Sequence, residues 1–153
     1  MLIYDVLKQY ENENIKIYVD MDGCIADYDV GVPKDYDLKR PLITNISKLE
    51  KISKMPNIQL YILSVTIMNK GIEEKNKWLD QFASFFKKEN RNILSREKFN
   101  FEKDSPTLKY EFIKSVKRDD SKIIIIDDDP EVLKKIRKGF NDVILLKDTT
   151  LVD

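Results

Sequence analysis

Five short apolar runs alternate along the chain with longer amphipathic segments, and this alternation leaves few architectures open. Ile15–Val19 and Ile58–Leu63 read as strands, Asn92–Leu94 as a short third, Lys122–Asp127 ("KIIIID") as a fourth and Asp142–Leu146 as a last one. The fourth is apolar enough to be covered on both faces, as strands of parallel sheets are. Pro41–Met55 spaces Leu42, Ile46, Leu49 and Ile52 on one helix face, with proline suited to the first turn. Lys70–Lys88 reads as a helix turning Ile72, Trp78, Leu79, Phe82 and Phe86 inward. Ser105–Arg118 follows with Ser105 as its expected N-cap and Pro106 in first position. Pro130–Gly139 is preceded by Asp129 as a cap and ended by its glycine. The order predicts an α/β fold, a Rossmann-like doubly wound parallel sheet of about five strands with helices on both faces. A chain of 153 residues fits one domain, residues 1–153, and shows no repeat or low-complexity tract.

In such a sheet, ligands bind at the carboxyl ends of the strands, near the point where the strand order reverses. The first strand ends in Asp20-Met21-Asp22, with Asp27 and Asp29 close behind, the second in Ser64-Val65-Thr66, and the fourth in Asp127-Asp128-Asp129. Carboxylates gathered at a buried strand end repel one another unless a cation sits among them. The chain has no histidine, which excludes Ser-His-Asp triads, histidine bases and histidine metal ligands. An ion would therefore be held mainly by oxygen, which favours magnesium or another hard cation. Lys plus Arg and Asp plus Glu number 27 each, so no global field draws the chain to nucleic acid or membrane. A single cysteine, Cys24, precludes an intrachain disulfide and suits a reducing cytosol. No run is long enough to span a bilayer and the first residues lack a signal-peptide apolar region, so a cytoplasmic location is expected.

"DMDGCIAD" (Asp20–Asp27), then "YILS" ending in Ser64, a later lysine and "IIIIDDDP" occur in the order found in the haloacid-dehalogenase-like (HAD) phosphohydrolases. The chain resembles that superfamily from about Ile15 to Leu146. The resemblance implies that Asp20 is a nucleophile forming an aspartyl-phosphate, and that Asp22 acts as general acid and then base. It implies that Ser64 donates a hydrogen bond to a phosphate oxygen, with Thr66 a rival for that task. Lys109 would neutralise nucleophile and phosphate, with Lys103 and Lys114 as rivals. Mg2+ would be bound by the Asp20 carboxylate, the Asp22 carbonyl and Asp127, with Asp128 completing the shell or binding the ion directly. Gly23 would permit the tight turn after Asp22. Cys24, beside an oxygen nucleophile, reads as a small packed residue.

Cap insertions decide much of substrate choice in this superfamily. Here only Tyr28 to Arg40 remain for a flap and only Ser95 to Asp104 at the second insertion point, which implies a minimal cap or none and an open site. The first motif is similar to that of deoxyribonucleotidases, which points to a phosphorylated small molecule, a 5′- or 3′-(deoxy)ribonucleotide, as the expected substrate. "YDLKRPLITNISKLEKISK", "LYILS" and "KNKWLDQF" resemble the phosphatase domain of phage-type polynucleotide kinases, which makes a nucleic-acid 3′-phosphate end the alternative. Val65-Thr66 stand where that group commonly has an arginine, and no P-loop is present. A nonenzymatic phospho-ligand or protein-binding module on the same scaffold is the third reading. Tyr28, Tyr36, Lys39 and Arg40 are the nearest candidates for rim stacking and charge pairing, against a bland alternative of loop packing.

Overall fold

The computed structural model describes residues 2–28, 35–118 and 121–152. Five strands, β1 (Ile15–Val19), β2 (Ile58–Thr66), β3 (Arg91–Ser95), β4 (Lys122–Ile126) and β5 (Ile144–Leu146), form a sheet in the order β3-β2-β1-β4-β5. Every pairing is parallel. The α-helices are α1 (Ile3–Gln9), α2 (Ile43–Ser53), α3 (Lys70–Phe82), α4 (Arg96–Phe99), α5 (Ser105–Val116) and α6 (Pro130–Gly139). The expected doubly wound α/β fold is what the chain forms.

Strand alternation divides the core in two. Ile15, Ile17 and Val19 of β1 and Ile124 and Ile126 of β4 face one side, packed with Ile3 of α1, Ile46, Leu49 and Ile52 of α2, and Trp78 and Leu79 of α3. Tyr18, Ile123 and Ile125 point the other way, against Leu108 and Ile113 of α5 and Val132 and Ile136 of α6. Burial on both faces explains why β4 reads as an unbroken apolar run. The chain leaves β1 towards β2 and β3, then crosses back to β4 beside β1. The order therefore reverses between β1 and β4, and Val19 pairs with Ile126 at that point, setting Asp20 next to Asp127. Asp20 N–H donates to the Ile126 carbonyl at 3.0 Å.

Several element ends differ from the sequence expectation, each for a local reason. Pro41 is not in the first turn of α2; it bridges Ala26 in extended form. Asp27 N–H to the Arg40 carbonyl (2.8 Å) and Leu42 N–H to the Ile25 carbonyl (2.7 Å) hold that segment straight. Helix α3 stops at Phe82, and Phe86 is buried from the turn beyond it rather than from the helix. Asp104, not Ser105, caps α5: its carboxylate accepts the Thr107 N–H at 2.9 Å. Strand β2 continues to Thr66, so Ser64 lies inside it. Helices α1 and α4 had no counterpart in the sequence reading, both being too short for a periodic signal. Of the Tyr28–Arg40 flap, residues 29–34 lie outside the described residues, and Tyr36–Leu38 form one 3-10 turn. No helix among the described residues is long and apolar enough to cross a membrane.

Capping gives a direct check on the α5 start. Asp104→Ala is expected to lower unfolding free energy in urea by about 1 kcal/mol. Ser105→Ala should change it by no more than about 0.5 kcal/mol, as surface substitutions do. The reverse ranking would return the cap to Ser105.

Candidate active site

The turn after β1 is built by one acceptor. The N–H groups of Cys24, Ile25 and Ala26 all donate to the Met21 carbonyl, at 3.2, 2.9 and 2.9 Å. From α2, the buried Asn45 side chain donates to the Cys24 carbonyl at 2.8 Å and fixes the turn to the core. Gly23 holds φ +85°, a conformation that side chains rarely adopt, and a Cβ there would lie 2.0 Å from an Asp128 oxygen. The glycine therefore serves both the turn and the approach of Asp128.

Three carboxylates meet at this point. Lys109, from the second turn of α5, donates to Asp20 Oδ1 at 3.0 Å and to Asp127 Oδ2 at 2.7 Å. All three groups are buried, with Lys109 3% and Asp127 1% exposed, so the ion pairs lie out of bulk solvent. Burial opposes the Lys109 charge, yet Asp20 and Asp127 outweigh it and hold its pKa above the ordinary lysine range. One ammonium is not enough for the cluster. Burial, and then the Asp20 charge, raise Asp127 above the usual carboxylate range despite Lys109. Burial and the same Asp20 charge push half-buried Asp128 up to about 7. Asp127 Oδ1 also accepts the Asp129 N–H at 3.0 Å, and Asp129 caps α6 through the Glu131 N–H at 2.9 Å, as the sequence suggested.

An unbalanced cluster of this kind fits a hard cation. Ligand atoms of Asp20, Cys24 and Asp128 lie within 4.8 Å of one another and could hold a metal ion. Cys24 suits the task least: burial, then the surrounding carboxylates, raise its thiol well above the ordinary value, and its Sγ lies 3.9 Å from the Ile126 carbonyl. The oxygen donors of Asp20 and Asp128 are the fitting ones for a hard cation.

Asp22 points away from this cluster into a second network. Its Oδ1 accepts from Lys39 Nζ at 2.6 Å and Tyr36 hydroxyl at 2.8 Å, and its Oδ2 from Lys75 Nζ at 3.3 Å. Burial would raise the Asp22 pKa, but Lys75, Lys39 and Tyr36 together keep it below the usual carboxylate range. Lys75 is 4% exposed and also donates to Ser64 Oγ (2.7 Å) and the Val65 carbonyl (3.0 Å). Burial lowers its pKa, and the Asp22 and Asp20 charges only partly restore it. Trp78 Nε1 donates to the Lys39 carbonyl at 3.0 Å, tying the flap remnant to α3.

The structure thus brings Asp20, Asp127, Asp128 and Lys109 together, with Asp22 and Ser64 joined through Lys75. Thr66 is set differently: its hydroxyl packs where a Cβ on Gly71 would be, 1.9 Å away, at the start of α3. Of the rivals to Lys109, Lys103 pairs with Glu111 at 3.0 Å and Lys114 is exposed. Of the four rim candidates, Tyr36 and Lys39 are buried partners of Asp22, Arg40 pairs with Asp27 at 2.9 Å, and Tyr28 is 67% exposed over the mouth. Sequence reasoning missed Lys75. Its signal was present: Ile72, Lys75, Leu79 and Phe82 follow at three- and four-residue steps, a lysine interrupting an apolar helix face.

No protein-family model matches the chain. No curated protein matches it either. Among solved structures, a chain in a Pnkp1/Rnl/Hen1 RNA repair complex is similar with a TM-score of 0.68 at 15% identity, over 89% of this chain and 42% of that one. A chain in a further Pnkp1/Rnl/Hen1 complex structure gives a TM-score of 0.69 at 16% identity, over 88% of this chain and 46% of that one. At such identity the likeness is one of fold, and this chain spans less than half the length of either neighbour.

The raised carboxyls set a pH dependence. Unfolded carboxyls titrate at about 4, so between about pH 4 and 7 these two groups bind more protons in the folded protein than in the unfolded chain. Stability contributed by protonated Asp127 and Asp128 is therefore lost as pH rises through that window. In chelator, the Tm should fall between about pH 5 and about pH 7.5, and a saturating divalent cation should shrink that fall. A fall of equal size with and without the cation would argue against an ion among these carboxylates.

Proposed function

We propose that the protein is a metal-assisted phosphomonoester hydrolase acting on nucleotide-type phosphates through an aspartyl-phosphate. The observation that carries this reading is the convergence of Asp20 and Asp127 on buried Lys109 at the switch point of the sheet. Asp128 adjoins them. Asp20 is the nucleophile: one carboxylate oxygen attacks phosphorus as the ester oxygen departs, leaving the phosphoryl group on Asp20. Lys109 holds the attacking carboxylate in place and offsets the charge gathering on the phosphoryl oxygens. Ser64 accepts from Lys75, which leaves its own hydroxyl proton to donate to a phosphate oxygen.

Asp22 is the proton carrier. Held ionised by Lys39, Lys75 and Tyr36, it is ready as the base that takes a proton from the water attacking the aspartyl-phosphate. To act earlier as the acid, it must take up a proton after incoming phosphate oxygens draw those cations away. Asp20, Asp127 and Asp128 would hold magnesium, with the Asp22 carbonyl as a further oxygen ligand. When bound, the ion supplies charge neutralisation between nucleophile and phosphate.

A second reading narrows the substrate to a phosphate at a nucleic-acid end. Among the described residues the site opens into solvent-facing cavities, with Tyr28 exposed at the mouth. The likeness of fold to chains of an RNA repair complex supports the same direction.

Asp20→Asn is expected to lower turnover by on the order of a thousandfold or more while leaving the fold intact, because an amide is a poor nucleophile. Activity on p-nitrophenyl phosphate and on 3′- and 5′-nucleotides, with magnesium and with excess chelator, tests this. Near-wild-type turnover in the variant would sink the covalent mechanism, and full activity in chelator would sink the metal role.

A further inference from the structure

Two cavities meet across the proposed catalytic groups. One, about 480 Å³, is lined by Asp20, Lys109, Asp127 and Asp128. The other, about 530 Å³, lies between the start of α3 and the start of α4. Asp22, Val65 and Ser105 line both and form the wall between them. If Asp22 gives its proton to the leaving group, as proposed above, that group sits at the threshold of the second cavity, which Asp22 also lines.

The chemistry of that second cavity is unlike the first. Its floor is apolar, with Val65, Ile67 and Met68, and Ile67 and Met68 are 60% and 43% exposed. Its rim carries Lys70 and Arg96. Lys39 and Lys75 also line it, but Asp22 already neutralises part of their charge. Lys70 is exposed and ion-paired with nothing among the described residues. Arg96 donates from Nη2 to the Phe101 carbonyl, while its buried Nε has no acceptor among the described residues. Glu74 is the opposing charge on this wall. A buried guanidinium donor without an acceptor costs roughly 1–3 kcal/mol, and turning the Arg96 guanidinium into the cleft onto a ligand oxygen would relieve that cost. The cleft is also preformed: Glu97 of α4 accepts the Asn69 N–H at 2.7 Å and donates its own N–H to the Ile67 carbonyl at 2.9 Å. Gly71 lets α3 press against Thr66 on the inner side.

We propose that this cleft is a subsite for a leaving group that carries a phosphate of its own, with Lys70 and Arg96 binding that second phosphate and Ile67 and Met68 receiving the base. This rests on the hydrolase reading and names its substrate class: a nucleotide bearing a neighbouring phosphate or phosphodiester. A nucleoside 3′,5′-bisphosphate and the terminal nucleotide of a nucleic-acid strand both present that chemistry.

The test is made on the full chain carrying Asp20→Asn, with magnesium, so that binding is read without turnover. Calorimetry should give thymidine 3′,5′-bisphosphate at least a tenfold lower Kd than either thymidine monophosphate. Lys70→Glu, on an exposed side chain, should cut that advantage about threefold or more, and Lys70→Ala with Arg96→Ala should bring it within twofold of unity. Circular dichroism confirms that each variant is folded. Equal Kd values for bisphosphate and monophosphates, or an advantage that survives in both variants, would overturn the proposal. A pentathymidylate with a 3′-phosphate separates the sources: tighter binding than the bisphosphate assigns the cleft to nucleic-acid ends, and weaker binding assigns it to free bisphosphates. If the wild-type chain hydrolyses none of these compounds yet the binding advantage holds, the hydrolase reading fails while the subsite stands.

Discussion

The Lys109 ammonium between Asp20 and Asp127 is the contact on which the rest of the arrangement depends. Two carboxylates buried at adjacent strand ends would destabilise the sheet if left alone, because desolvation and mutual repulsion act in the same sense. The ammonium answers only part of that charge, and Asp128 makes the deficit larger. The parallel pairing of β1 with β4 forces the carboxylates together, and the docking of α5 on the sheet face to which Tyr18 and Ile125 point supplies the cation. Fold and site are thus joined at one point: shifting the β1–β4 register by a residue would send Asp20 to the other face.

Much of this was legible because it rests on short-range patterns. The apolar run Ile123–Ile126 could only be a buried strand, and the acidic residues closing it and β1 had to emerge at one edge of a parallel sheet. Ser64, by contrast, was legible as a residue but not as part of a network. Its partner Lys75 comes from the middle of a helix rich in solvated lysines, and only its place on the buried stripe sets it apart. Tyr36 and Lys39 read as rim residues, since sequence carries no sign that these two side chains turn onto Asp22. The Trp78 indole and the Ala26–Pro41 bridge, contacts distant along the chain, turn both side chains onto Asp22. The cap of α5 was misread by one residue because aspartate and serine are equally good caps, and only backbone geometry chooses between them.

The two carboxylates of the Asp20-Met21-Asp22 triplet live in separate electrostatic surroundings. Met21 is buried between them and its carbonyl gathers the turn, so Asp20 faces Lys109 while Asp22 faces Lys39 and Lys75. A pair of identical side chains two residues apart is in this way given different surroundings without any difference in chemistry. Environment alone distinguishes them.

The Cys24 thiol, buried beside these carboxylates, has a bearing on how the protein meets oxidants. Peroxide and thiol-blocking reagents react with the thiolate, and here both desolvation and surrounding negative charge suppress that form. The reactive group proposed for this site is an oxygen anion that peroxide does not attack. The sulfur atom at the heart of this site would therefore be shielded from peroxide by the same burial and negative charge that surround Asp20.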